Sequence, residues 1–394
     1  MITMIDSFLL FFFAEKYMND DRVFVCRFAM RPCLIVFSNA LVKELLEEHC
    51  QEDQTYNGLK DFFFGLFGHN LMFADDDESQ KMRKVLIPLM HPNKFQSILE
   101  DLVSNWTTNE LTTSDPILLY EKFKHFGTIF ALKCFLGIED VEEASKLATT
   151  HWHGIISVPF NVKVSFLSST YRKSVEAKNK LLDIIEERLE SKSSEFLKEV
   201  LETTKHDRDT LKNNILLFTC ALIPKAVGSI MSSFIDASSL WYDKYVNDGT
   251  IADQDLTNIL HEVIRLWPPF FGNLRVAQKD FDLGEYHVPQ GHGVFYATYF
   301  AHRDPKVFSN PEEFIPERWN GGNKEDKDKL LGFGAGSHRC IGENLMMHVL
   351  KYVAKHFIEN FHWDHPADNP MERNIKCLPI LRPRELTPVI LRRK

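Results

Sequence analysis

The sequence predicts a mainly α fold with a small β region, carried in one domain. Three observations predict it. Apolar residues recur at helical spacing through most of the chain before residue 270. Short β-rich runs broken by turn residues then cluster between 274 and 296. A glycine-rich loop near the C-terminus opens one more apolar helix. The chain has 394 residues, 44% hydrophobic and 26% charged, which suits a soluble globular protein with a large core. Its length alone would allow two or three domains, but no Gly/Ser/Pro-rich linker, repeat or low-complexity tract divides it.

Arg22 to Phe28 and Cys33 to Ser38 alternate or run apolar with β-branched residues, and read as two early strands. Ala40 to Glu48 follows as a short amphipathic helix, and helical spacing dominates from Gln80 to Pro92 and from Asn93 to Trp106. Ser174 to Lys205 reads as helical, with Leu181, Ile185 and Leu189 on one face. Leu211 to Leu240 is predicted as a long apolar helix, ended by the polar break Asn247-Asp248-Gly249. Leu256 to Leu266 is a further helix, stopped by Pro268-Pro269. Strands are predicted at Leu274–Gln278, Phe281–Leu283, Tyr286–Val288, Val294–Tyr296 and Thr387–Leu391.

Net charge is −9 and the pI lies near 6.0, so nothing points to nucleic acid. Seven scattered cysteines without paired spacing read as reduced thiols in a cytosol-facing protein. No zinc pattern emerges, and the His151/His153 spacing carries no signal. The 32 phenylalanines, as in Phe62-Phe63-Phe64-Gly65-Leu66-Phe67, suit either a wide apolar cavity or ordinary core packing. Phe8 to Ala14 falls far short of the roughly 20 residues that span a bilayer. It also lacks the flanks of a secretory signal. No transmembrane segment is therefore predicted.

Phe333-Gly334-Ala335-Gly336-Ser337-His338-Arg339-Cys340-Ile341-Gly342 is the most informative stretch. Gly336 and Gly342 permit tight turns and close approach of a flat cofactor. Cys340 sits at a predicted helix N-terminus, where backbone N–H groups stabilise a thiolate. The helix itself is marked by Leu345, Met346, Val349, Leu350, Val353 and Phe357. Spacing alone gives a reactive or metal-bound cysteine and does not name the metal. The pattern F-x-x-G-x-[HR]-x-C-x-G, as Phe333, Gly336, His338, Cys340 and Gly342, resembles the heme-binding signature of the cytochrome P450 family. The resemblance implies a P450-like single-domain fold and heme b, with Cys340 as axial thiolate and metal ligand and Phe333, Gly336, His338 and Gly342 around the cofactor.

Upstream motifs strengthen it. Glu262-Val263-Ile264-Arg265 resembles the family's E-x-x-R, and Pro316-Glu317-Arg318-Trp319 its P-E-R-[FW]. Glu262, Arg265 and Arg318 are then expected to form a buried structural triad that holds the cysteine loop. Arg275 and His302-Arg303-Asp304-Pro305 fall in the family's order. Arg275, His338 and Arg83 are candidate donors to the heme propionates. Where the family often has Trp or His before Arg83, this chain has Ser79 and Gln80. Eukaryotic members carry a membrane anchor and Pro-rich hinge that have no counterpart here, so a truncated or shortened chain is expected, with peripheral contact at the endoplasmic reticulum membrane left open.

The chief departure lies in the long helix. Oxygen-activating members usually carry [AG]-G-x-[DE]-T-[TS], an acid and an alcohol that relay protons. This chain reads Leu217-Phe218-Thr219-Cys220-Ala221-Leu222-Ile223-Pro224-Lys225-Ala226, which puts Leu222, Ile223 or Pro224 at those positions. Pro224 should also open or kink the helix by removing the hydrogen bond to the Cys220 carbonyl. Two catalytic readings follow. One is a heme-thiolate monooxygenase hydroxylating an apolar, lipid- or sterol-like substrate, with electrons from an NADPH flavoprotein reductase docking near Arg83, Lys84 and Arg339. The other is a heme-thiolate isomerase or dehydratase of lipid hydroperoxides. A non-catalytic heme protein is the third alternative, and the stretch from Pro224 to Glu262 is shorter than the family's usual one.

Overall fold

The computed structural model describes residues 16–28, 31–50, 54–109, 111, 116–157, 169–203, 207–321, 328–364, 370, 375–377, 380–383 and 388–394. The apolar run Phe8–Ala14 lies outside these residues, as does most of Ile155–Phe166, a stretch whose composition allows an apolar surface loop. Helices dominate: α1 (Asn39–Glu48), α2 (Lys60–Phe67), α3 (Asp76–Leu89), α4 (Gln96–Asn109), α5 (Leu119–Leu136), α6 (Glu142–Ser157), α7 (Ser169–Ser191) and α8 (Glu195–Thr203). They are followed by the long α9 (Arg208–Asp236), then α10 (Asp253–Leu266) and α11 (Glu343–Asn360).

The main sheet joins both ends of the sequence. β1 (Val23–Phe28), β2 (Arg31–Val36), β3 (Thr55–Asn57), β5 (Asn273–Ala277) and β8 (Gly293–Tyr296) form it in the order β1-β2-β8-β5-β3. β2 and β8 pair in parallel, and the other neighbours are antiparallel. Between them β6 (Phe281–Leu283) and β7 (Tyr286–Val288) make a separate hairpin, as the alternating pattern predicts. β4 (Ile117–Leu118) pairs with β12 (Pro388–Val389), and β9 (Phe361–Trp363) with β13 (Leu391–Arg393).

Two predicted helices need correction. The region read as Ser174 to Lys205 is two helices, because Lys192 turns into the left-handed region and ends α7. Ser194 caps the next helix, its hydroxyl accepting from the Leu197 N–H at 3.1 Å. The helix predicted to reach Leu240 ends at Asp236, where a 3-10 turn over Ser238–Leu240 takes over.

Among the described residues α9 is long and apolar enough to cross a bilayer, with mean hydropathy 1.8, although no transmembrane segment was expected from the sequence. Its apolar window is 94% buried within the protein, so its composition is that of a core helix. It packs on α5 at close range. A Cβ added at Gly127 of α5 would come within 2.9 Å of the Pro224 Cα, so that crossing requires glycine. Over Phe218–Leu222 the helix widens into a π turn, immediately before Pro224. Pro224 has no N–H for the Cys220 carbonyl, and the ladder slips by one residue to accommodate it.

The core beneath α11 is aromatic. Trp106, Phe123, Phe126, Phe357 and Phe361 interlock, with Phe357 at 5.1 Å from Phe123 and 5.2 Å from Phe361 between ring centroids. Leu345, Met346, Val349, Leu350, Val353 and Phe357 are all buried, so the stripe read from the sequence is the face that seats this helix. Phe357→Ala is expected to destabilise the fold by roughly 3–5 kcal/mol, read from the denaturant midpoint; a change below about 1 kcal/mol would contradict the packing described.

Candidate functional site

The loop between Leu330 and α11 is shaped by its own backbone. Gly334 (φ +75°) and Gly336 (φ +62°) adopt left-handed conformations, and the Gly334 N–H donates to the Leu331 carbonyl at 2.9 Å. The Cys340 N–H then donates to the Phe333 carbonyl at 2.7 Å and closes the loop. Gly336 does not line the cavity, contrary to its expected place at the cofactor. A Cβ there would strike the Leu46 carbonyl oxygen at 2.5 Å, so its smallness serves packing against α1. Gly334, which the motif passes over, does line the cavity. Gly342 also lines it, but at φ −93° it makes no left-handed turn and instead precedes the first residue of α11.

A cavity of about 770 Å³ lies over this loop. Cys340 is exposed, and the surface it exposes lines that cavity. Phe333, Ala335, Ile341, Leu345 and Met346 surround it with apolar atoms. The surface Cys340 exposes opens only onto this cavity inside the protein, and the desolvation there pushes the thiol up, with Glu343 adding to it, while the Gly342 backbone N–H and the Arg83 and Arg339 guanidiniums pull it down.

Three cationic or N–H donors gather at one edge, where Arg83, Arg275 and His338 all line the cavity. Arg275 is buried and donates to the Thr55 hydroxyl (3.1 Å) and carbonyl (2.8 Å). His338 lies against the Cys50 carbonyl (3.2 Å) and Asp76 (3.1 Å). Burial, with Arg275 and Arg83 nearby, holds its pKa well below the usual imidazole range. Arg83 donates to the Arg339 carbonyl and, at 3.2 Å, to the His338 carbonyl, so it grips the cysteine loop directly. Being buried, it does not belong to a surface for an electron donor; Lys84 beside it is exposed, and Arg339 is paired with Glu343 at 2.6 Å. Ser79 and Gln80 also serve the loop. Ser79 accepts from Arg83 Nε at 3.3 Å, and Gln80 donates to the Ser337 carbonyl at 3.0 Å.

These groups fit a heme. A cavity-facing thiol, an apolar floor and a cationic edge match the iron, the ring faces and the two propionates of that cofactor. A Cβ built on Gly342 would stand 3.9 Å from both Cys340 Sγ and Met90 Sδ, an ordinary van der Waals distance, so space at the sulfur does not by itself require glycine there.

Behind the loop, Glu262, Arg265 and Arg318 come together as the triad expected. Glu262 and Arg265 are fully buried. Arg265 donates from Nε to Glu262 Oε2 (2.9 Å) and from Nη2 to Oε1 (2.8 Å), and Arg318 Nε donates to Oε1 at 3.1 Å. The sequence motif did not reveal His302 as the link to the loop. Its Nδ1 donates to the Arg265 carbonyl at 2.9 Å, and its Nε2 accepts the Leu331 N–H at 2.8 Å. A backbone N–H can only donate, so Nε2 must be unprotonated. Burial lowers the His302 pKa to about 3, which keeps this tautomer neutral.

Across the cavity stands α9. Leu217, Phe218, Ala221, Leu222, Ile223, Ala226 and Ile230 line it, and no acid or alcohol of this helix does. Thr219 is turned back, its hydroxyl donating to the Ile215 carbonyl at 2.8 Å.

Glu262→Ala is expected to cost roughly 3–5 kcal/mol, since it strands the Arg265 charge without its partner; a denaturation midpoint unchanged from wild type would refute the lock. A group whose folded pKa is depressed to about 3, as at His302, binds its proton more readily when unfolded. Stability is therefore fully present above about pH 6.5 and is lost as pH falls toward about 3. Melting curves from pH 7.5 to 4.5 should show that decline, with a smaller slope in His302→Gln.

The cytochrome P450 family model matches residues 255–388. An obtusifoliol 14-alpha demethylase of Triticum aestivum is 25% identical over 362 residues, covering 80% of this chain and 79% of that one. A beta-amyrin 28-monooxygenase of Kalopanax septemlobus is 23% identical over 358 residues, covering 80% and 74%. Among solved structures, the retinoic acid-bound cyanobacterial CYP120A1 superposes with a TM-score of 0.78 at 22% identity, covering 94% of this chain and 92% of its own. The family match thus runs through the triad and the cysteine loop, and the chain shares the fold of a solved cytochrome P450 along nearly its whole length.

Proposed function

We propose that this chain is a single-domain cytochrome P450 monooxygenase that hydroxylates an apolar, lipid- or sterol-like substrate, with Cys340 as the axial ligand of heme b. The carrying observation is the position of Cys340, which faces a largely apolar cavity and is flanked by Arg83 and Arg339. When bound, heme supplies the redox-active iron that activates dioxygen, and thiolate ligation favours O–O cleavage. The sterol demethylase and amyrin monooxygenase among its relatives support a substrate of comparable apolarity.

The chain's own residues do the rest. Arg83 and the Gly342 N–H favour the thiolate form of Cys340 against the burial that opposes it. Arg275 and His338 stand where propionates would be held. Phe62, Phe63, Leu222, Ile223 and Phe271 enclose the opposite side and keep water from the substrate. Electrons are assigned to an NADPH flavoprotein reductase.

One observation favours a second reading. α9 presents Leu222 and Ile223 where an acid–alcohol relay is usual, and such general acid catalysis contributes about 10²–10⁴-fold. A heme-thiolate isomerase or dehydratase of lipid hydroperoxides has no need of that relay.

Purified holoprotein supplied with NADPH and reductase should oxidise an apolar substrate at the expense of dioxygen; turnover confined to lipid hydroperoxide, without reductase, would replace the first reading by the second. In Cys340→Ala the red-shifted Soret band of the reduced carbon monoxide complex should vanish, and its survival would overturn the ligand assignment.

A further inference from the structure

Two contacts between a cation and an aromatic ring lie along α9. One is at the hairpin of β10 (Ile375–Lys376) and β11 (Arg382–Pro383), which the Ser229 hydroxyl of α9 ties down by donating to the Leu381 carbonyl at 2.6 Å. There the Arg382 guanidinium lies 5.2 Å from the centroid of the Tyr120 ring. The other contact is buried. Lys225, the residue after Pro224, is 2% exposed, and its Nζ lies 4.8 Å from the centroid of the Trp152 ring of α6.

Burying an ammonium is costly unless something stabilises its charge. The carboxylate whose field reaches Lys225, that of Glu121 on α5, is already paired with Lys124, and Lys124 adds repulsion. From α6 come His153 and His151, the latter held at about 4 by burial and therefore neutral. Lys178 of α7 acts on His151 and donates to the Gly65 carbonyl at 3.1 Å. Cys220 of α9 is kept a neutral thiol by burial. The electron-rich face of Trp152 is thus the group that stabilises the ammonium, and a desolvated cation gains most from such a contact. Burial pulls the Lys225 pKa down to about 7, with Lys124 pulling the same way and Cys220 and Glu121 opposing.

Trp152 is also part of the cavity wall, beside Ile155 of its own helix and Leu222 of α9, and packs with Phe67 and Leu217. Among the described residues no hydrogen bond fixes its indole, so apolar packing and the lysine orient it. Lys225 does not itself line the cavity and meets it through this ring.

We propose that Lys225 is a positioning residue for the substrate, its ammonium holding the Trp152 ring in the cavity wall and releasing it when the charge is lost. This rests on the reading of the cavity as the substrate site of a heme-thiolate enzyme, and adds a residue that tunes its affinity. The held arrangement favours the protonated lysine. It is therefore fully populated below the Lys225 pKa and is lost as pH rises through about 7. His153, whose pKa burial also lowers, gives up its charge at lower pH.

The test titrates holoprotein with clotrimazole, whose trityl group extends from the iron into the cavity, and with imidazole, which meets the iron alone. Both are measured at about pH 6 and about pH 8.5, on either side of the lysine. Affinity for clotrimazole relative to imidazole, each counted as its neutral form, should fall about fivefold between the two. K225M, which keeps the bulk and removes the charge, should show the lower value at both, and K225R, charged at both, the higher. W152L should respond neither to pH nor to added K225M. Trp152 emission, taken without azole as the difference between wild type and W152L, should change over the same interval and stay constant in K225M. A flat wild-type profile, a pH response that survives K225M or W152L, or unchanged Trp152 emission overturns the proposal. So does K225R binding as K225M does; where K225R takes up no heme, the wild-type profile and K225M decide. Failure of the heme-thiolate reading is seen separately, as a missing carbon monoxide band in the reduced wild-type protein, and Trp152 emission is read without the heme signal.

Discussion

The carboxylate of Glu262 has no exposed surface and accepts five hydrogen bonds. Two come from Arg265, and the others from Arg318, the Trp319 indole and the Ile315 backbone. A buried ion pair is not stabilising by virtue of its charge alone, because desolvation opposes the Coulomb gain. Here the full set of donors offsets that cost, and Arg265 extends the network by donating to the carbonyls of His302, Pro311 and Glu313. One helix turn thereby holds both His302 and the stretch from Pro311 to Trp319, and through His302 it reaches Leu331 at the base of the cysteine loop. Loss of Glu262 would leave Arg265 charged, buried and without its partner.

The opposite wall of the cavity follows from a different constraint. Pro224 cannot donate, and α9 answers with a π turn over Phe218–Leu222 where the helix meets the cavity. Gly127 lets α5 close over that turn from behind, so the widened segment stays packed. The consequence is chemical as well as geometric. The cavity meets Ala221, Leu222 and Ile223, and the hydroxyl of Thr219 is engaged within its own helix. The proximal side of the site is built to hold a cofactor, and the distal side leaves proton delivery to something other than this helix.

Much of this was legible in the sequence. The helical stripe from Leu345 to Phe357 predicts the buried face of α11, since periodicity reports burial directly. The motifs E-x-x-R and P-E-R-W pick out the three members of the lock, and the glycine-rich run picks out the cysteine loop. Pro224 announces a break in the ladder because a missing N–H has the same local effect in any fold. The split at Lys192 was not legible, because a left-handed lysine carries no compositional mark. Nor was the grip of Arg83 on the Arg339 and His338 carbonyls, since the motif marks Arg83 only as a candidate propionate donor and records nothing of a contact with a loop some 255 residues away.

What the sequence determined by itself was local and chemical: a thiol on a glycine turn, a matched carboxylate and two guanidiniums, and a proline in an apolar helix. Each follows from residue type and short-range spacing. Tertiary structure alone decided which of these groups meet. It put Gly336 against Leu46 and left Gly334 facing the cavity. It ran the support of the cysteine loop through His302. It also brought Lys376 and Arg382 into one cavity with Cys340, although these residues lie in different elements. Such contacts join residues far apart along the chain, and no local propensity records where a distant segment will pack.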